Sequence, residues 1–377
     1  LTRKPTSQLK LVGYAVVSLS VLGAIYFSFR PSGPKTPQEA SVEPRAASAR
    51  PGTVSASAKT PPDSLAGHPA VPDAKDPRPP LKRLQDVTPD TPANAAYDVF
   101  LELKSWLARG PDEIEQGVQS LLEANDGTPA QKRQRSLLYG ALAETNHPAA
   151  AAGLILLVQR AKHEDDKIQS AAALGDHQSP PEAALDVLWE ASQANQGAAH
   201  NTALLAYGSV AHHLGTGAEQ APERLLAAAR AASTVPGRVE VLAAMGNHGA
   251  PGYLPHLQEA AKDRVEQVRA AAVYGARFHA DDAAGAFIAD VAVKDESNKV
   301  KAEALRALST QLATRRDYAR VAQVALSSTK PEVQLDGARI LRSALVRGDS
   351  PELRAALDAM RKETKSDAVR ALLDAPL

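Results

Sequence analysis

One phrase constrains this chain more than any other, because it is written repeatedly. QVRAAAVYGARF spans Gln267 to Phe278, and looser copies begin near Gln131, Asp166, His200, Gly237, Asn298, Pro331 and Ser366. The copies lie about 29 to 36 residues apart, a period that marks stacked supersecondary units. Within a copy the small and apolar residues fall at helical spacing. Val268, Ala271, Ala272 and Gly275 share one face, as do Val300, Ala304 and Leu308. Between copies runs a second amphipathic segment, as in Ala149–Ala161, Glu182–Gln193, Pro222–Ala232 and Ala284–Val293. Each unit therefore predicts two antiparallel helices joined by a short turn. No segment combines β-branched residues, alternation and hairpin turns well enough to predict a sheet.

Alanine and glycine explain how such units can stack. Aromatics are 4% of the chain, so the core must be aliphatic. Small side chains let helix axes approach closely, and alanine also has the best helix propensity. Leu242, Tyr274 and Leu305 are expected to fill the remaining gaps, with Trp106 and Trp189 in the core. Gly208, Gly246 and Gly275 recur at one repeat position. Either a neighbouring backbone crowds them or they end their helices.

Two other regions precede the repeats. Leu11–Phe29 is free of charge for nineteen residues, about 28 Å of helix and close to a bilayer's hydrocarbon thickness. Tyr14 and Tyr26 sit near its ends, and Arg3, Lys4 and Lys10 precede it. It reads as an uncleaved anchor, with a cleaved secretory signal as the competing reading. Residues 31–91 are rich in proline and alanine and hold no aromatic residue until the repeats approach. Such a stretch buries too little apolar surface to order itself and serves as a tether. The expected organisation is residues 1–30 as stub and anchor, 31–91 as disordered linker and 92–377 as repeats. The expected location is the bacterial inner membrane, single-pass, with the N-terminus cytoplasmic and the repeats periplasmic.

DRVEQVRAAAVYGARF and DESNKVKAEALRAL resemble the second helix of HEAT repeats, with Asp263 and Arg269, and Asp295 and Lys301, at the family's paired positions. The resemblance implies that such pairs brace neighbouring repeats. It also implies a fold that is all-α, a right-handed α-solenoid of HEAT-like helical pairs. A narrower likeness covers about Gln131 to Leu345. NTALLAYGSVAHHL, EVLAAMGNHGAPGYLPHLQEAAKD and VEQVRAAAVYGARF are similar to the helical domain of large lipid transfer proteins, the vitellogenin and microsomal triglyceride transfer protein group.

Chemistry is scarce. Lys+Arg and Asp+Glu are both 43, which argues against a nucleic-acid partner. There is no cysteine, so disulfides, thiolate metal sites and Cys nucleophiles are excluded. No nucleophile elbow, phosphate loop or H-E-x-x-H occurs. His147, His177 and His248 fall at matching turns and predict turn or cap duty. His212 and His213 are adjacent and face different ways. His163–Asp166 reads as an exposed turn whose acids favour the next helix, and Asp281–Asp282 as capping. Gln131–Arg135 and Thr314–Arg320 read as solvated basic faces. No catalytic, cofactor-binding or metal residue is expected, and no enzyme. The expected role is a membrane-anchored, non-enzymatic protein-binding scaffold or assembly factor of the cell envelope, with another protein on the solenoid surface and the membrane engaged through Leu11–Phe29. The alternative is a lipid-handling module, the helical part of a vitellogenin-like transfer system whose lipid-binding sheets come from another chain.

Overall fold

The computed structural model describes residues 78–124, 127–279, 281–312 and 314–376. Among them are eighteen α-helices, two short 3-10 turns and no strand. A short helix, α1 (Pro80–Leu84), leads in. Alternate helices then form two layers. The inner layer holds α2 (Ala93–Leu107), α4 (Pro129–Ala143), α6 (Glu164–Asp176), α8 (Gly197–Leu214), α10 (Val235–His248), α12 (Glu266–Gly275), α14 (Asn298–Gln311), α16 (Pro331–Arg347) and α18 (Asp367–Asp374). The outer layer holds α3 (Pro111–Leu122), α5 (Pro148–Arg160), α7 (Ala183–Ala194), α9 (Ala221–Ala231), α11 (Leu254–Ala260), α13 (Asp282–Lys294), α15 (Tyr318–Leu326) and α17 (Pro351–Glu363). All eight recurrences of the phrase land on inner-layer helices, α4 to α18.

Local signals place the ends. Proline occupies the first turn of α3, α4, α5, α16 and α17, where a missing N–H costs nothing. Thr128, Thr234, Asp281, Ser297, Ser350 and Ser366 cap helix starts through their side chains. Gly249, at φ 71°, ends α10 in the left-handed conformation that glycine adopts most cheaply.

The stack is an α-solenoid. In the inner layer each helix packs on the next, from α2 on α4 through α16 on α18. In the outer layer α7 and α9, and α11 and α13, scarcely touch. The inner approach depends on missing side chains. A Cβ on Gly175 would lie 2.8 Å from the Ala206 Cβ, and one on Gly208 would strike the Ala244 carbonyl oxygen. One on Gly246 would lie 2.7 Å from the Gly275 Cα, and one on Gly275 would lie 3.1 Å from the Leu242 carbonyl oxygen. Crowding is thus the reason for Gly208, Gly246 and Gly275, and the helix-ending role in the NHG turn falls to Gly249. Between α6 and α14, tight inner contacts and loose outer ones bend the stack toward the inner layer, whose solvent-facing side is therefore concave there; nearer the two ends α3 on α5 and α15 on α17 pack closely in the outer layer as well.

The core is aliphatic as expected: Leu242, Leu305, Val268, Val300, Ala304 and Leu308 are all buried. Trp106 is buried, and Trp189 is half-buried against the Tyr207 ring, centroids 5.3 Å apart. Tyr274 departs in part from expectation. It packs against the core from one side and leaves part of its ring open on the concave face.

Two expectations about the N-terminal region change. Pro80–Leu84 is helical, and Leu84 and Val87 join the core. The packed unit thus begins at Arg78, inside the stretch assigned by composition to the linker. Proline at the first position of a helix starts it rather than breaking it. The inner-membrane, single-pass placement is also corrected. Among the described residues no helix is long and apolar enough to cross a membrane. The longest, α8, spends its apolar face on neighbouring helices and carries His200, His212 and His213. The expected span Leu11–Phe29, and the expected linker up to residue 77, lie outside the described residues.

Candidate functional site

A line of polar contacts runs along the N-terminal ends of the inner helices. Each takes a side chain of one repeat to the next. Arg135 Nε meets Asp166 Oδ1 at 3.0 Å, with both side chains 7% exposed. Lys167 Nζ donates to Asn195 Oδ1 at 2.9 Å, and Arg238 Nη2 lies 3.3 Å from Asp263 Oδ2. Arg269 grips Asp295 with two bonds, 2.6 and 3.0 Å. Lys301 Nζ donates to Ser327 Oγ at 3.2 Å, and Thr364 Oγ1 donates to Gln334 Oε1 at 2.8 Å. Burial would raise the Asp295 carboxyl, but bonds from Arg269 and the Ser297 N–H hold it below its ordinary value.

Repeats are braced here, but not by the expected pairs: Asp263 and Arg269 do not meet side chain to side chain, and Lys301 Nζ bonds the Ala292 carbonyl at 2.8 Å and Ser327 Oγ rather than Asp295. Arg269 reaches forward to Asp295 and contacts Asp263 through the backbone carbonyl, at 3.0 Å. The Asp263 carboxylate faces back to Arg238 and caps the Val265 N–H at 2.8 Å. Spacing alone did not reveal this, because the partners sit a full repeat apart.

Contacts within the chain also engage both basic clusters, Gln131–Arg135 on this edge and Thr314–Arg320 on the opposite one. Arg133 donates to the carbonyls of Thr88, Pro89 and Thr91, and Gln134 to those of Gln85 and Val87. These bonds fasten the segment after α1. Gln131 completes a capping box with Thr128, and Lys132 pairs with Asp165. Arg315 and Arg320 both pair with Asp282 and Asp317. Neither cluster is a solvated face. His163–Asp166 opens α6 as expected, but Asp166 is buried in its pair with Arg135 rather than exposed.

The histidines serve the opposite, C-terminal edge. His147 Nδ1 caps α5 by accepting from the Ala149 N–H, and His177 Nδ1 accepts from the Ser179 N–H, each at 3.1 Å. His248 does not cap. Its Nδ1 lies 2.7 Å from the Tyr253 hydroxyl, and its carbonyl oxygen lies 2.9 Å from His212 Nδ1 in the previous repeat. Burial, then the proximity of His212 and His279, pushes the His248 imidazole down to about 4. Gln311 Nε2 closes the next gap, donating to the carbonyls of Ala276 and His279 at 3.2 and 3.1 Å. Asp281 caps the Ala284 N–H at 2.7 Å, as expected.

What remains uncommitted is the concave face. Ala172, Leu205, Ser209, Val239, Ala243 and Ala271 line it half-exposed and without charge. Tyr274, Arg306 and Glu303 continue it onto α12 and α14. Among the described residues no cluster of three or more His, Asp or Glu side chains could hold a metal ion. A hollow of about 280 Å³ lies between α9, α10, α11 and α12, beside Arg238, His256, Glu259 and Lys262. A second, of about 290 Å³, lies beside α1, next to Gln85, Ser120 and Gln134. Apolar side chains share the lining of both, Leu242 and Val268 in the first and Leu81, Leu84, Leu121 and Leu138 in the second, so each hollow is mixed in character. The arrangement can hold a protein segment by contact.

No family model matches the chain, and no curated protein matches it. Solved structures share its helical character at low identity. One is the complex of CpcE and CpcF of phycocyanin lyase from Nostoc sp. PCC7120, 14% identical, covering 78% of this chain and 98% of that one, with a TM-score of 0.36. Another is the Pds5–Scc1 complex, 15% identical, covering 78% of this chain and 51% of that one, with a TM-score of 0.31. The assignment as a HEAT-like α-solenoid rests on the layered packing described above.

Proposed function

We propose that this chain is a non-catalytic scaffold that holds another protein along its concave inner face. One observation carries the reading. Most polar side chains of the inner helices are spent joining repeats at the two edges, whereas the strip between those edges is largely apolar, packs on the core from one side and keeps its other side open to solvent. A solenoid presents such a strip as one long continuous surface. The lipid-handling alternative draws less support, because each hollow is small and its apolar lining is interrupted by charged or amide side chains.

The test is site-specific photo-crosslinking of the full chain in cells. A photoreactive residue at Ala243 or Ala271 should capture a discrete protein, and one at Asp290, exposed on outer helix α13, should not. Capture from Asp290 alone, or from neither face, would refute the proposal.

A further inference from the structure

We propose that the concave patch around Tyr274 is the docking point for an acidic segment of the partner protein. This rests on the binding reading above and adds the chemistry of what is bound.

Four successive inner helices or their ends build the patch. Tyr274 projects from α12 and is half-exposed. The Arg277 guanidinium lies 4.2 Å from its ring centroid, and that of Arg306 on α14 lies 4.9 Å away. Arg277 also lies 4.8 Å from the half-exposed Phe278 ring, whose other neighbour is the His212 ring, centroids 5.3 Å apart. Asn247 on α10 accepts from Arg277 Nη2, and the Tyr274 carbonyl accepts from Nη1 at 3.1 Å. Gly246 is what makes room, because a Cβ there would strike Arg277 Nη1.

The charges do not balance. Arg135, Arg238 and Arg269 each meet a carboxylate of the adjacent repeat. Arg277 is 5% exposed, and its hydrogen bonds go to a carbonyl and an amide rather than to an acid. Arg306 bonds Glu303 at 3.1 Å. Two guanidinium groups on one tyrosine thus share one nearby carboxylate. A cation set under aromatic rings at a low-dielectric surface projects its field outward with little screening. The half-exposed rings add apolar area beside that field, and Tyr and Arg are the side chains that most often dominate protein interfaces. The complementary ligand is a peptide segment carrying carboxylates next to an apolar side chain.

Random peptide display against the full chain tests this, with Arg306→Glu and Tyr274→Ser as variants and Asp290→Lys on the outer layer as control. Circular dichroism checks that each variant keeps its helices. Enriched peptides should be net acidic with at least one apolar residue. A synthetic peptide of the enriched sequence should lose about tenfold in affinity on Arg306→Glu, and a similar amount between about 50 and 300 mM salt. Asp290→Lys should leave it unchanged. Neutral or basic peptides, no enrichment, or binding indifferent to Arg306→Glu and Tyr274→Ser would overturn the inference. So would equal competition by oligothymidylate or by phosphatidylglycerol vesicles, which would make the patch a general anion site. Crosslinking at Ala243 reports on the scaffold reading separately. Capture there with failure here would leave a concave binding face and remove its acidic specificity.

Discussion

Replacing Gly208 with alanine should weaken the array, although alanine is the better helix former. Gly208 lies inside α8, and alanine's propensity alone would stabilise it by about 1 kcal/mol. The added methyl, however, would strike the Ala244 carbonyl oxygen on α10 and lie 3.0 Å from that carbonyl carbon and 3.1 Å from the Asn247 Cβ. These are backbone atoms and a Cβ, which cannot swing aside, so the two helices must part. Overpacking of this kind costs about 1–3 kcal/mol, and the lost contact along α8 and α10 adds to it. The net expectation is destabilisation by about 1–2 kcal/mol. Gly140, inside α4, supplies the control. Its nearest neighbour is the Phe100 Cε2 at 3.4 Å, the edge of a half-exposed ring that can give. Gly140→Ala should therefore stabilise by about 0.5–1 kcal/mol. Repeat arrays need not unfold in one step, so the readout is hydrogen exchange resolved by helix, supported by urea unfolding. Amides of α8 and α10 should exchange faster in Gly208→Ala, and those of α4 more slowly in Gly140→Ala. If both variants stabilise, close backbone approach is not what selects glycine at the repeat position.

Other expectations follow from the same contacts. Arg269→Ala should cost about 2–3 kcal/mol, because it strands the Asp295 carboxylate, which is 7% exposed; a smaller loss in the Arg269→Ala/Asp295→Ala double variant, read by urea unfolding, would show the coupling. His248 has its imidazole lowered from 6.5 to about 4, so the stability it contributes is complete above pH 6.5 and is lost as pH falls through 4. His248→Gln should flatten that acid loss, worth up to about 3 kcal/mol at the acid end, and unfolding curves between those limits measure it. Asp176 behaves oppositely, since burial and then Glu144 push its carboxyl up from 3.8 to about 6. Asp176→Asn should stabilise the chain by about 1–2 kcal/mol at neutral pH. That advantage should shrink as pH falls through 6, where the native side chain takes up its own proton; an advantage constant with pH would contradict the assignment.

Much of the architecture was legible in the residues. The phrase recurring from Gln131 to Ser366 marked every inner helix from α4 to α18. Val268, Val300, Ala304 and Leu308 were readable as core from helical spacing, and Asp281 as a helix cap. The edges of the packed unit were less readable, because α1 is short and the segment after it is fastened by Arg133 and Gln134, about 45 residues downstream. The candidate surface was not readable at all. Tyr274 looked like a core filler, and the clusters at Gln131–Arg135 and Thr314–Arg320 looked free until their carbonyl and carboxylate partners were placed.

The sequence by itself determined that this chain makes helical pairs and that each pair must be covered by the next. That follows from local physics, since a face of alanine, glycine and valine at helical spacing cannot stay in water. The tertiary structure alone decided which acid each arginine meets, which way the stack bends and which rings stay on the concave side. Those outcomes depend on distances between residues a repeat or more apart, and a gap of a single methyl group at Gly208 or Gly246 is enough to set them.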